Sequence, residues 1–130
     1  MKKIRTLLVD DSPEFLGAVS RFLEIDPLIE IVGLVMRGLE ALSAIQEHQP
    51  DILLLDLAIP DINGMEIMRQ IKEQIEKPPY IIILTLYDNP EYRLQSESLG
   101  ADGFIFKSDL GDELLPTIHK IMEQGSSEAI

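Results

Sequence analysis

The chain contains no cysteine, which excludes disulfides, thiolate nucleophiles and zinc–thiolate sites and leaves oxygen donors as the natural metal ligands. It has only two histidines, His48 and His119. They stand singly, without partners at ligand spacing, and are expected in ordinary surface roles. Long apolar runs are also missing. Lys2, Lys3 and Arg5 precede a run of only Leu7 to Val9 before Asp10 and Asp11 stop it, too short for a signal peptide or a membrane span, so we expect a cytoplasmic protein. Positive charge is scarce: 11 Lys and Arg face 23 Asp and Glu, a net charge of -12. Such a surface repels nucleic-acid backbones and anionic lipid, and partners narrow to proteins, cations and small molecules. What is present is 130 residues, 45% hydrophobic and 26% charged, the profile of one soluble globular domain with a core of its own.

Five short apolar runs, Ile4 to Val9, Ile29 to Val35, Ile52 to Leu55, Tyr80 to Leu84 and Gly103 to Phe106, read as strands because they are β-branched or Leu-rich and too short for helices. Their apolarity is continuous rather than alternating, the pattern of a sheet covered on both faces. Helical patterns separate them. Ser12 can cap a helix with Pro13 at its first position, aligning Phe15, Leu16, Val19, Phe22 and Leu23 on one face. Leu39, Leu42, Ala44 and Ile45 form a second helix closed by Gln49-Pro50. Gly64 precedes a third, with Ile67, Met68, Ile71 and Ile75 inward and Pro78-Pro79 as its stop. Pro90 opens a fourth, ending at Gly100, with only Leu94 and Leu99 as an apolar stripe and hence low expected local stability. Leu114, Leu115, Ile118, Ile121 and Met122 mark the fifth, where Pro116 is tolerable only in the first turn. Strand and helix therefore alternate five times, predicting a right-handed, doubly wound, open three-layer α/β sandwich. Gly125 to Ile130 reads as a tail or the start of a linker, so that the domain spans residues 1–124.

In open α/β sheets ligands bind beyond the carboxyl ends of the strands. Strand one ends in Asp10-Asp11, strand three in Asp56, strand four in Thr85 and strand five in Lys107. Alone, each residue has an ordinary explanation: a helix-terminus charge, a strand-end hydroxyl, a solvated lysine. Together they form a constellation. Three close carboxylates either raise one another's pKa or require a cation, and an all-oxygen site suits Mg²⁺ or Mn²⁺. Lys107 and Thr85 then add an ammonium and a hydroxyl for phosphoryl oxygens, with Asp56 as a nucleophile.

These features resemble the response-regulator receiver domains of two-component signalling over essentially residues 3–123. The resemblance rests on Asp10-Asp11, on "LLLDLAIPDINGME" with Asp56, Pro60 and Gly64, on Thr85, and on "GADGFIFKSDL" with Lys107. It implies a flavodoxin-like (βα)5 fold with strand order 2-1-3-4-5. It also implies that Asp56 accepts a phosphoryl group from a sensor histidine kinase, that Asp11, Asp56 and the Ala58 carbonyl ligate Mg²⁺, and that Asp10 acts through a metal-bound water. Thr85 and Lys107 would hold the phosphoryl oxygens, with Thr85 and Phe104 as switch residues. The output surface would be the fourth helix, fifth strand and fifth helix. The resemblance admits a homodimer. It places any DNA contact in an output domain absent from this chain, since "KSDLGDELL" is similar to receivers that carry a helix-turn-helix domain controlling transcription.

Some positions depart from the commoner pattern. Phe104 lacks the hydroxyl of a switch tyrosine, Ser108 stands where proline is frequent, and Leu86 stands where small residues are common and is expected to crowd the phosphoryl site. The resemblance implies that Ala58 and Tyr87 occupy positions that in this family tune water access to the acyl phosphate, and neither side chain orients water well. A slowly decaying phosphorylated state is expected; a half-life of seconds in the purified protein would overturn it. Three rivals use other chemistry. A flavin or nucleotide binder would need a glycine- and hydroxyl-rich loop where Asp10, Asp11 and Glu14 stand. A Mg²⁺-dependent phosphatase would carry an acid two residues after its nucleophile, where this chain has Ala58. A pseudo-receiver would act only as a protein interaction module and would resist phosphorylation.

Overall fold

The computed structural model describes residues 2–86 and 89–128, the last three by backbone alone. Five parallel strands, β1 (Ile4–Val9), β2 (Ile29–Val35), β3 (Ile52–Asp56), β4 (Tyr80–Thr85) and β5 (Gly103–Phe106), form one sheet in the order β2-β1-β3-β4-β5. The helices are α1 (Pro13–Glu24), α2 (Ala41–His48), α3 (Gly64–Gln74), α4 (Pro90–Ser98) and α5 (Leu110–Glu128). Side chains on a strand alternate between faces, and here both faces are buried. Leu8, Ile52, Leu54, Ile82 and Leu84 enter one core layer with Leu16, Val19, Leu23, Leu114 and Ile118 of α1 and α5. Leu7, Val9, Leu53, Leu55, Ile81 and Ile83 enter the other with Ile45, Ile67, Met68 and Ile71 of α2 and α3. That is the physical origin of the unbroken apolar strands in the sequence.

Local chemistry sets most boundaries. The Ser12 hydroxyl accepts the Phe15 N–H at 3.2 Å and Pro13 opens α1. Asn63, rather than Gly64, caps α3, accepting from Met65 and Glu66 at 2.8 and 3.2 Å, so Gly64 is the first helical residue.

Four details differ from the sequence pattern. Leu39 lies in a short 3-10 turn (Gly38–Glu40) before α2 and is 70% exposed. In α4, Leu94 is 66% exposed and only Ser96 is fully enclosed, so the expected stripe is reduced to Leu99, packed at the helix end. Pro116 falls in the second turn of α5 because a 3-10 turn at Lys107–Asp109 runs straight into the helix. Pro116 and Asp112 are both exposed, so water can reach the helix where the N–H is missing. Finally, α5 continues through Gly125 to Glu128, past the point where composition suggests a tail.

His119 is also less isolated than its spacing suggests. Its Nε2 lies 2.6 Å from Asp26 Oδ2, and the histidine, with the Leu28 N–H, holds the Asp26 carboxyl below the usual carboxylate range.

Candidate functional site

Strand register assembles the site. Val9 pairs with Leu55, Asp56 with Leu84 and Thr85 with Phe106, so the residues closing β1, β3, β4 and β5 share one edge of the sheet. The Asp10 N–H continues the ladder to the Val35 carbonyl at 3.0 Å, and its Oδ1 accepts the Ser12 N–H at 2.9 Å. Asp10, Asp56 and Thr85 are buried, whereas Asp11 is exposed at the rim. Carboxylate oxygens of Asp10, Asp11 and Asp56 all lie within 4.8 Å of one another.

Lys107 enters this acidic cluster from the end of β5. Its Nζ is 2.7 Å from Asp10 Oδ2 and 3.5 Å from Asp56 Oδ2, and its side chain is only 11% exposed. The ammonium also lies over the Phe15 ring, 4.0 Å from the centroid. Burial pushes the Asp56 carboxyl above its usual range and the Asp10 charge adds to this, against the Ala58 N–H and Lys107, which stabilise the ionised form. One ammonium among three carboxylates leaves an excess of negative charge. An all-oxygen donor set of this kind, with an exposed member open to water, fits Mg²⁺, which keeps several waters and takes one or two carboxylates.

The loop after β3 is held tightly. The Ala58 N–H donates to Asp56 Oδ1 at 3.1 Å and the Gly64 N–H to the Leu57 carbonyl at 3.1 Å. A Cβ on Gly64 would lie 2.8 Å from Leu57 Cα and 3.1 Å from the Asp56 carbonyl, so only glycine lets α3 begin this close to Asp56. Gly64→Ala should therefore cost about 2 kcal/mol by overpacking; a urea melt checks this, and unchanged stability would mean α3 can retreat freely. Farther along, the Asp61 carboxylate accepts the Leu39 and Gly38 N–H groups at 3.0 and 2.9 Å, which hold its pKa below the usual range. This staple between the β3–α3 loop and the start of α2 has no sequence signature, because its partners meet only in the fold.

Of the remaining expected residues, Leu86 lies at the bend that follows β4 and is 72% exposed. Phe104 is partly buried and packs edge-on against Phe106. The Arg93 guanidinium of α4 lies 5.1 Å over the Phe104 ring and donates to the Phe104 carbonyl at 3.3 Å. Tyr87 lies outside the described residues.

A family model described as the response regulator receiver domain matches residues 6–119. The chain belongs to this family. Among curated relatives, the receiver is 33% identical over 111 residues to a protein-glutamate methylesterase/protein-glutamine glutaminase 2 of Koribacter versatilis, covering 85% of this chain and 31% of that protein. It is 28% identical over 127 residues to the transcriptional regulatory protein DegU of Brevibacillus brevis, covering 96% and 52% respectively. Among solved structures, it matches the signal receiver domain of the response regulator NarL from Mycobacterium tuberculosis with a TM-score of 0.87 and 28% identity, over 95% of this chain and 98% of that one. The chain thus spans about a third to a half of these curated relatives, and the receiver is the shared part. Among the described residues, no helix is long and apolar enough to cross a membrane.

Proposed function

We propose that this receiver is a phosphorylation-dependent signalling switch in which Asp56 takes a phosphoryl group from the phosphohistidine of a sensor histidine kinase. An Asp56 carboxylate oxygen forms the new P–O bond, and the P–N bond of the donor breaks as the imidazole departs. The observation that carries this reading is the buried Lys107 ammonium poised between Asp10 and Asp56 at the edge of a receiver sheet. In-line phosphoryl transfer needs chiefly positioning and charge neutralisation.

Asp11, Asp56 and the Ala58 carbonyl would hold Mg²⁺, or Mn²⁺ in its place, with Asp10 acting through water, and the ion would supply charge neutralisation. Lys107 then turns N–H donors from the carboxylates to the phosphoryl oxygens, and Thr85 offers its hydroxyl. Phosphorylation adds roughly -1.5 to -2 charge at Asp56, biasing Thr85, Phe104 and the surface of α4, β5 and α5. The thin packing of α4 supports a movable output element.

The domain acts as a phosphoacceptor rather than as an enzyme on an external substrate. Residues 1–124 form the receiver, working in the cytoplasm and away from membranes, alone or as a homodimer. Transcription is the proposed output, through a DNA-binding domain linked beyond this chain, as the likeness to a transcriptional regulatory protein supports. The test is incubation with a small-molecule phosphodonor, with and without Mg²⁺, read by mass. Wild type should gain one phosphate only with Mg²⁺, and Asp56→Asn none. A phosphate that survives Asp56→Asn would overturn the acceptor, and a folded wild type that gains none would favour the pseudo-receiver reading.

A further inference from the structure

We propose that Phe15 is a positioning residue for phosphoryl transfer, its ring face tethering the Lys107 ammonium so that the N–H donors remain available to phosphoryl oxygens. The inference rests on the reading of Asp56 as phosphoacceptor and assigns a role to a residue that the periodicity of α1 places merely on its apolar face.

The contacts form a closed circuit. Asp10 Oδ2 lies 2.7 Å from Lys107 Nζ, and Asp10 Oδ1 accepts the Ser12 N–H at 2.9 Å. The Ser12 hydroxyl accepts the Phe15 N–H at 3.2 Å, and the Phe15 ring returns to Lys107 Nζ, its centroid 4.0 Å away. The helix cap that starts α1 therefore also sets where the ring stands. Lys107 has an 11% exposed side chain, so water contributes little to holding its charge, and in such a desolvated setting the attraction of a cation to a ring quadrupole is at its largest.

The kind of attraction explains its use. Asp10 draws the ammonium through a hydrogen bond, which occupies a donor. The ring draws it through its negative face and occupies none. Transfer of those donors from carboxylate to phosphoryl oxygen then proceeds with the ammonium already in place, an example of pre-organised charge stabilisation. A leucine at this position would fill comparable space without a quadrupole, and the ammonium would be held only by the carboxylates it must release.

The test separates the quadrupole from the packing of the ring against the core. Mono-, di- and trifluorophenylalanine, incorporated at position 15 of the full chain, withdraw the quadrupole stepwise at nearly constant shape. Phe15→Leu and Phe15→Tyr serve as the loss and rescue variants. The rate of phosphate incorporation from acetyl phosphate at saturating Mg²⁺ should fall stepwise with fluorination, by about 3- to 10-fold over the series. Phe15→Leu should lie at the slow end and Phe15→Tyr near wild type. A rate that is flat across the fluorinated series, or a Phe15→Leu protein as fast as wild type, overturns the role of the ring while leaving Asp56 as acceptor. Failure of wild type to take phosphate, or phosphate on Asp56→Asn, overturns both readings together and is recognised before any ring variant is compared.

Discussion

Lys107→Met is expected to destabilise the Mg²⁺-free protein by about 3 kcal/mol, the scale for removing one partner from a buried ion pair. Methionine keeps the length and apolar volume of the side chain, so the loss reports charge. In wild type the ammonium sits 2.7 Å from Asp10 Oδ2 and 3.5 Å from Asp56 Oδ2, and both carboxylates are buried. Without it they face each other uncompensated. A divalent cation supplies the missing positive charge, so the variant should gain more stability from Mg²⁺ than wild type does. Urea denaturation with and without Mg²⁺ measures this directly. A loss of the same size at every Mg²⁺ concentration would assign it to packing, and a variant as stable as wild type without metal would mean that the ammonium does not offset carboxylate repulsion.

The second large effect has the opposite sign. Asp56→Asn should make the Mg²⁺-free protein more stable at neutral pH, by about 1 kcal/mol, the ordinary scale of a single substitution. Burial raises the Asp56 carboxyl above its usual range, so the folded chain binds this proton more readily than the unfolded chain, whose Asp titrates near 3.9. Stability from Asp56 is therefore fully present below about 3.9 and is lost as pH rises through the raised folded value. Asparagine is never ionised and does not undergo that loss. The advantage of the variant should open between these two values, persist at neutral pH, and vanish in acid, as thermal unfolding over a pH series would reveal. Mg²⁺ should reverse the ranking, since the ion stabilises wild type by mass action and has lost a ligand in the variant. An Asp56→Asn protein less stable than wild type at neutral pH without metal would contradict the raised pKa.

Both expectations rest on residues visible in the sequence, but at different depths. Asp10, Asp11, Asp56, Thr85 and Lys107 each follow an apolar run, and a parallel sheet brings the ends of its strands to one edge. The register of β1 on β3 and β3 on β4 places them there. The cap of α1 was equally legible, because Ser12 and Phe15 lie within one helical turn. Leu94 misled because its spacing suits a buried face, whereas α4 turns that face to solvent and encloses Ser96 instead. Pro116 departs from the expected first turn because the 3-10 turn at Lys107–Asp109 is continuous with α5, which starts the helix well before it.

By itself, the sequence determined the alternation of elements, the burial of the sheet on both faces and the set of carboxylates, hydroxyl and ammonium at the strand ends. Those properties are carried by residues near one another in the chain or by the repeat of a strand. Tertiary structure alone decided that Leu86 is exposed, that Asp61 ties the β3–α3 loop to the start of α2, that His119 meets Asp26 and that Phe15 lies against Lys107. The last three contacts depend on how separate elements are turned toward one another. A helix or strand pattern specifies which face is buried, but the angle at which two such faces meet emerges only when the whole core packs.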